Sequence, residues 1–386
     1  MRILIVLTYF QPYKSGLTIY AVHQAQALAA LGHDVTVLTS QYDPDLPLDE
    51  WDEGVHIVRL PVALRFSKGV IMPKMPFKSW QLIRESDAVN LHLPQADAAL
   101  VALLAKLQGK PVVSTYHCDI TMPPGWVNQL AGWGVSAANH MAASLSDIIV
   151  HNTRDFAENS NFLHRYLDKL EVLPTPVVVE KVTAQAVQAF REKYHITSDD
   201  HVVGMVARLA SEKGVEYLVE AMPKVTEADP KARVVFVGEY QHVLGEDAYR
   251  EKIMPMIESL GDRWTFLGVL SEAEKAAFFN VCDVLVLPSI NSTESFGMVQ
   301  IEGMTCGTPV VATNLPGVRQ PVISTGMGKI VPVKDENALA SAIIQVLRSG
   351  ATAAPGVIDR LKRQYSPESV AKAYETLFKE LIEPDG

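Results

Sequence analysis

Cysteine is scarce in this chain of 386 residues: Cys118, Cys282 and Cys306 are the only three, and no metal-ligand or redox spacing links them. An odd count without a framework argues against a disulfide-built fold and for reduced thiols in a cytoplasm, where each serves as a small core hydrophobe. Basic charge is also in short supply. The 34 Lys and Arg face 44 Asp and Glu, a formal net charge of −10, which speaks against the broadly basic surface of a duplex nucleic-acid binder. No apolar window approaches the roughly 20 residues needed to span a bilayer. The start, Met1-Arg2-Ile3-Leu4-Ile5-Val6-Leu7-Thr8, reads as a first core strand rather than a signal peptide, because its apolar run is short and no small-residue cleavage pattern follows. Together these give a cytoplasmic protein, or one peripheral to the membrane, as the expectation. Some motifs are missing too. There is no Gly-x-Gly-x-x-Gly fingerprint, which weighs against a dinucleotide redox enzyme, and no P-loop or Ser-His-Asp arrangement is readable. Asp43-Pro44-Asp45 formally matches an Asp-x-Asp metal motif, but it lies in a polar loop and reads as turn chemistry. No metal and no cofactor is expected.

What is there is a regular alternation. Hydrophobic content of 48% and charged content of 20% suit a folded soluble protein, and the length allows two domains with separate cores. Short apolar runs alternate with helical patterns throughout, the signature of an α/β protein with parallel sheets covered by helices. Strands are expected at 3–7, 35–39, 55–60, 88–92, 112–117, 148–151 and 170–173, with helices at 18–31 and 97–107 ending on Gly32 and Gly109. The rhythm restarts near residue 200. Strands are expected at 202–207, 234–237, 264–267, 284–287, 310–313 and 329–331, and helices at 214–226, 248–259, 273–280, 297–305 and 336–347. Pro174-Thr175-Pro176 begins an extended linker. The expected domains are 1–180 and 181–365, with 366–386 a helix of one apolar stripe that packs on its own domain or on the first. Two doubly wound domains imply a cleft that both supply with loops from the carboxyl ends of their strands.

The candidate chemistry follows strands accordingly. After the strand at 284–287 comes Glu294-Ser295-Phe296-Gly297-Met298-Val299-Gln300-Ile301-Glu302, then Gly307-Thr308-Pro309-Val310-Val311. Strand, loop and helix start bring backbone N–H groups and a positive dipole end to one place, which suits a phosphate. Glu294 and Glu302 would be repelled by a diphosphate, so they are expected to accept hydrogen bonds from the vicinal hydroxyls of a sugar or ribose. The spacing alone is weak; a dipole-favoured N-terminal charge and a solvated helix face would explain the same two residues. Arg208 and Lys213, after the strand at 202–207, are the expected cations for a pyrophosphate leaving group, against the plainer reading of surface charges with Lys213 paired to a nearby acid. In the first half Gly16 precedes a helix and lets a ligand approach, or simply makes a turn. His117 ends the strand at 112–117 and would face the cleft, or be a buried hydrogen-bonded histidine; His92 holds a similar, weaker place one strand earlier.

Assembled, these residues resemble the retaining glycosyltransferases of family 4, of GT-B architecture with two facing Rossmann-like domains. The resemblance spans nearly the whole chain: the loop at Gly16, Gly32-His33-Asp34-Val35-Thr36-Val37-Leu38, Tyr116-His117-x-Asp119, Arg208 with Glu212-Lys213-Gly214, Phe266-Leu267-Gly268, Glu294-Ser295-Phe296-Gly297, Glu302, and Gly307-Thr308-Pro309-Val310-Val311. It implies that Glu294 binds the donor sugar's hydroxyls and Glu302 the ribose. Backbone groups of Phe296, Gly297, Met298 and Val299 would meet sugar and diphosphate, with Arg208 and Lys213 on the diphosphate. Leu270 and Lys275, with Glu272, would lie by the base, His117 by a far sugar hydroxyl and Gly16 over the phosphate. It implies retention without an essential metal, with a UDP- or GDP-linked sugar such as GDP-mannose as donor. One departure stands out: Ser15 occupies a position where the family usually has a second glycine.

No carboxylate is marked as a nucleophile for double displacement, whereas a front-face route needs mainly leaving-group stabilisation. Rivals on the same architecture are a nucleotide-sugar epimerase, a glycan phosphorylase (for which no pyridoxal lysine is signalled) and a catalytically inactive sugar-nucleotide-binding protein. The acceptor, expected on the first domain, is a glycan, a lipid-linked species or a small molecule. The stretch 64–78, read as a loop, mixes cations with large apolar residues and suits either an anionic inner membrane face or an irregular surface with snorkelling lysines. Pro123-Pro124-Gly125-Trp126 and Trp133 are expected to line an acceptor groove.

Overall fold

The computed structural model describes residues 1–66, 69–119, 126–243, 245–350 and 353–383, with backbone alone at 66 and 126–131. Pro123, Pro124, Gly125, the side chain of Trp126, and Ser67-Lys68 of the expected membrane segment therefore lie outside what is described. The chain forms two compact units. One comprises Met1–Val177 together with Gln364–Gly386, and the other Val178–Arg363.

The first unit is built on an eight-stranded sheet: β1 Arg2–Val6, β2 Asp34–Gln41, β3 Asp49–Asp52, β4 Val55–Pro61, β7 Ala88–Leu93, β8 Val112–Tyr116, β9 Ile148–His151 and β10 Leu170–Val172, with the hairpin β5 Leu64–Phe66 and β6 Gly69–Ile71 separate from it. Its order is β10-β9-β8-β7-β1-β2-β4-β3. Every pairing is parallel except that of β3, an antiparallel edge on β4. The apolar runs form central strands because both faces are covered. Ile3 and Ile5 enter a core shared with the helices Gly16–Ala30 and Pro367–Ile382, while Leu4 and Val6 enter another with Met75–Glu85, Ala98–Leu107 and Trp126–Leu145. Tyr374 of the last helix joins Tyr20 and Thr115 through hydroxyl contacts of 2.8 Å each.

The second unit carries six parallel strands, β11 His201–Val206, β12 Ala232–Val237, β13 Trp264–Gly268, β14 Val284–Leu287, β15 Val310–Thr313 and β16 Gly328–Val331, in the order β13-β12-β11-β14-β15-β16. Each sheet has one place where successive connections leave in opposite directions: between β1 and β7 in the first, between β11 and β14 in the second. Ligands of open parallel sheets gather beyond the carboxyl ends of the strands at such switch points.

One expectation needs correction. The stretch 64–78 is not a loop; it contains the β5–β6 hairpin and the first turn of the helix Met75–Glu85. Pro76 sits in that first turn, where its missing N–H costs no helical hydrogen bond, so the proline starts a helix. Asp43-Pro44-Asp45 does form a turn, closed by the Asp45 N–H donating to Asp43 Oδ1 at 3.0 Å.

Candidate donor site at the switch point of the second unit

The loops after β11 and β14 leave neighbouring strands and meet. After β11 the chain runs through Arg208 into a single 3-10 turn, Ser211–Lys213, and Gly214 starts the helix Val215–Ala228. Gly214 has φ 64°, and a Cβ on it would lie 2.2 Å from the Pro288 carbonyl oxygen of the second loop. The Ile290 N–H donates to the Glu212 carbonyl at 3.0 Å. Glycine is thus required by conformation and by space, and this close approach brings Lys213 to Glu294: Nζ donates to Oε2 at 2.8 Å. Their side chains keep only 19% and 16% of their exposure. Ser289, wholly buried where the chain leaves β14, places its hydroxyl 3.5 Å from the same carboxylate oxygen. Arg208, more open, reaches Glu212 Oε1 at 3.3 Å.

A second lysine–carboxylate pair stands on the neighbouring helices. Glu302 lies within the helix Met298–Thr305, and Lys275 in Glu272–Val281 donates to it at 3.0 Å and contacts Glu272 at 2.8 Å. Burial opposes the charge on Lys275, but Glu302 and Glu272 outweigh it and leave its pKa raised, so it is fully an ammonium at neutral pH. Both carboxylates expected to meet neutral hydroxyls are therefore held by lysines here. The start of Met298–Thr305 is shaped by Gly297, at φ 77° with no side-chain cap; a Cβ there would lie 2.4 Å from Leu287 Cδ2. The buried amide of Gln300 donates to the Phe296 and Val318 carbonyls at 2.8 and 2.9 Å, which fixes the turn leading into the helix. Ser295 and Phe296 are buried, Met298 and Val299 half-buried at the dipole's positive end. Leu270 is buried in the turn before Glu272, while its neighbour Val269 is 63% exposed.

In the first unit Gly16 is the first residue of its helix, capped by Ser15, whose hydroxyl accepts from the Thr18 N–H. Nothing lies within 4 Å of where its Cβ would be, and its backbone is ordinary helix. Neither packing nor conformation asks for glycine there. His117 is half-buried just past β8, and its Nε2 lies 2.8 Å from Nδ1 of the buried His92. Both rings meet the edge of Tyr20. Burial first, then the neighbouring His92 and His151, push His117 well below the ordinary histidine value, and burial takes His92 to about 3. The pair is thus neutral and shares one proton in its hydrogen bond. Sequence reasoning missed the linkage of His92 to His117. It also missed Ser289, and a cluster of Tyr9, Tyr13 and Tyr42 in the loops after β1 and β2, with Tyr9 and Tyr13 stacked at 4.8 Å. Position directly after a strand was the signal for Ser289; the tyrosine cluster had none. Trp133 is exposed on its helix. Among the described residues no group of His, Cys, Asp and Glu forms a metal cluster.

Residues 15–176 match the family described as glycosyl transferase 4-like domain, and residues 186–355 the glycosyl transferases of group 1. The chain is 23% identical to an alpha-monoglucosyldiacylglycerol synthase of Acholeplasma laidlawii, over 99% of this chain and 98% of that protein. It is 26% identical to a phosphatidyl-myo-inositol mannosyltransferase of Mycobacterium leprae, over 90% of this chain and 88% of the relative. In structure it is similar to Anabaena HepE solved with UDP-glucose, with a TM-score of 0.76 at 18% identity, covering 98% of this chain and 99% of that one.

Proposed function

Because this chain belongs to the group 1 glycosyl transferases, family 4, of GT-B fold, we propose that it moves a hexose from a UDP- or GDP-linked sugar to a glycan, glycolipid or small-molecule acceptor with retention at the anomeric carbon. The observation that carries this reading is the pairing of Lys213 with Glu294 just before the start of Met298–Thr305, which has no side-chain cap, at the switch point of the second sheet, with Arg208 on the same loop as Lys213 and paired to Glu212. In this reading the lysine that holds Glu294 in the free protein turns to a diphosphate when one binds. Glu294, released from part of that pairing, then accepts from the sugar's hydroxyls. Lys275 and Glu302 do the same for the ribose and base end, with Leu270 as the apolar wall. His117, kept neutral first by burial and then by the neighbouring His92 and His151, is suited to an uncharged hydroxyl rather than to a phosphate.

Cleavage of the bond between C1 and the phosphate oxygen sheds negative charge onto the diphosphate, where Arg208, Lys213 and the helix start stabilise it. The departing oxygen takes the acceptor's hydroxyl proton as the acceptor oxygen bonds to C1 on the same face. With two cations and a helix dipole on the leaving group, the step needs no metal. The names of the two relatives, a glucosyldiacylglycerol synthase and a phosphatidyl-inositol mannosyltransferase, favour a lipid acceptor. Thermal-shift measurements against nucleoside diphosphates and their sugars, followed by NMR of the anomeric proton of the product, test the proposal. A stabilising donor and an α-product from an α-linked donor are expected. A flat response to every nucleotide sugar overturns the donor reading, and a β-product overturns retention.

A further inference from the structure

Three consecutive helices of the first unit, Met75–Glu85, Ala98–Leu107 and Trp126–Leu145, cover one face of its sheet side by side. The Gln108 amide donates to the Trp80 carbonyl at 3.2 Å, and the Gln95 N–H to Asn139 Oδ1 at 2.9 Å, tying neighbour to neighbour. Their inner sides supply Met75, Leu82, Ile83, Val101, Ala105 and Ala142 to a common core. Their outer sides are unlike an ordinary solvated helix face. Phe77 is 80% exposed, Trp80 44%, Leu103 43%, Leu107 66%, Trp133 77% and Met141 51%. These lie at helical spacing, so each helix offers an apolar stripe away from the sheet.

Charge on this layer is equally biased. The three helices carry a single acid, Glu85, which accepts from Gln81 at 3.3 Å, although the whole chain has more acids than bases. Lys74, Lys78 and Arg84 flank Phe77 and Trp80. Asp147, just past the third helix, is held by Lys106. Aromatic and aliphatic side chains across the three helices, with cations gathered on the first of them and almost no acids, suit an interface with anionic headgroups, where rings sink to the acyl boundary while ammonium and guanidinium groups meet phosphates. A second copy of the chain docked there would set the same cations against each other.

The geometry points to this three-helix layer as a docking face for an anionic bilayer surface. The protein lies on the membrane rather than through it, since no described helix is long and apolar enough to cross. The inference stands apart from the donor chemistry. Density-gradient flotation of the intact chain with phosphatidylcholine–phosphatidylglycerol vesicles, and with phosphatidylcholine alone, tests it. The chain is expected to float with the anionic vesicles, to be released by high salt, and to stay behind with neutral ones. F77S/W80S removes two exposed apolar anchors and K74E/K78E reverses two charges; each is expected to weaken binding by at least about tenfold while leaving the melting temperature unchanged. Lys213→Ala is expected to float like the parent, so a failure of the face is distinguishable from a failure of the transfer reading. No flotation with anionic vesicles at low salt overturns the inference, as does equal flotation of F77S/W80S. So does a dimer, seen by light scattering, that this variant abolishes without vesicle binding.

Discussion

Lys213 and Glu294 stand 81 positions apart in the chain and 2.8 Å apart in space. Each was legible as a candidate from its place after a strand. Their contact was not, because nothing in either segment encodes which loops the sheet order will make neighbours. The same holds for Lys275 with Glu302 and for His92 with His117. The pairing sharpens what Lys213→Ala should do. If the ammonium stabilises the charge developing on the leaving group, its loss lowers kcat by about a hundred- to a thousandfold and leaves the acceptor KM nearly unchanged. Steady-state kinetics decide this; a change confined to acceptor KM would contradict the role. The buried histidines have a consequence for stability. Burial holds His92 to about 3 and His151 to about 4, whereas an unfolded histidine takes its proton near about 6.5. The unfolded chain therefore binds more protons as pH falls below that value, and the stability present at neutral pH is lost progressively on the way to pH 4. Each histidine contributes about 1.4 kcal/mol of loss per pH unit within that window. Urea unfolding at pH 7, 6 and 5, followed by tryptophan fluorescence, should show this decline, and His151→Asn should flatten it. A slope unchanged by that substitution removes His151 as a cause.

At the scale of elements, continuous apolar runs marked the central strands of both sheets because helices cover them on both sides. Elements governed by other forces were hidden. β3, Asp-Glu-Trp-Asp, is an antiparallel edge with nothing apolar in its pattern but the exposed Trp51. The helix Trp126–Leu145 has no charged side chain to mark a solvent face, and its small residues give no clear stripe. Met75–Glu85 was obscured by its own starting proline. Two glycines at helix starts now separate structure from function. Gly214→Ala meets a backbone oxygen and a left-handed φ, so it should cost about 2–4 kcal/mol through strain and overpacking together. Gly16→Ala meets open space and should change stability by less than about 0.5 kcal/mol. If a ligand approaches Gly16, as the family resemblance implies, that same substitution should still lower activity by about tenfold or more. Melting curves and initial rates on both variants check the contrast. Full activity in Gly16→Ala would reduce that glycine to the plain start of a helix.

At the scale of the whole molecule, chain order and unit membership differ. The first unit is completed from the far end of the chain: Val370, Ala371, Tyr374, Leu377 and Phe378 fill the core beneath Gly16–Ala30, and the Tyr374 hydroxyl ties Tyr20 to Thr115. The second unit, Val178–Arg363, is one uninterrupted segment with its own core. That asymmetry predicts opposite outcomes for two fragments. Residues 178–363 should fold alone, with a cooperative melt, and should bind a nucleoside diphosphate, since Arg208, Lys213, Lys275 and Glu302 all lie in that segment. Residues 1–177 alone expose the apolar face that the last helix covers, and should be unfolded or aggregated until a peptide of residues 364–386 is supplied. Circular dichroism and calorimetric titration of each fragment separate the cases. A well-folded segment 178–363 that takes up no nucleoside diphosphate would overturn the assignment of Arg208, Lys213, Lys275 and Glu302 to the nucleotide, because every one of those side chains is present in that segment with its own core intact.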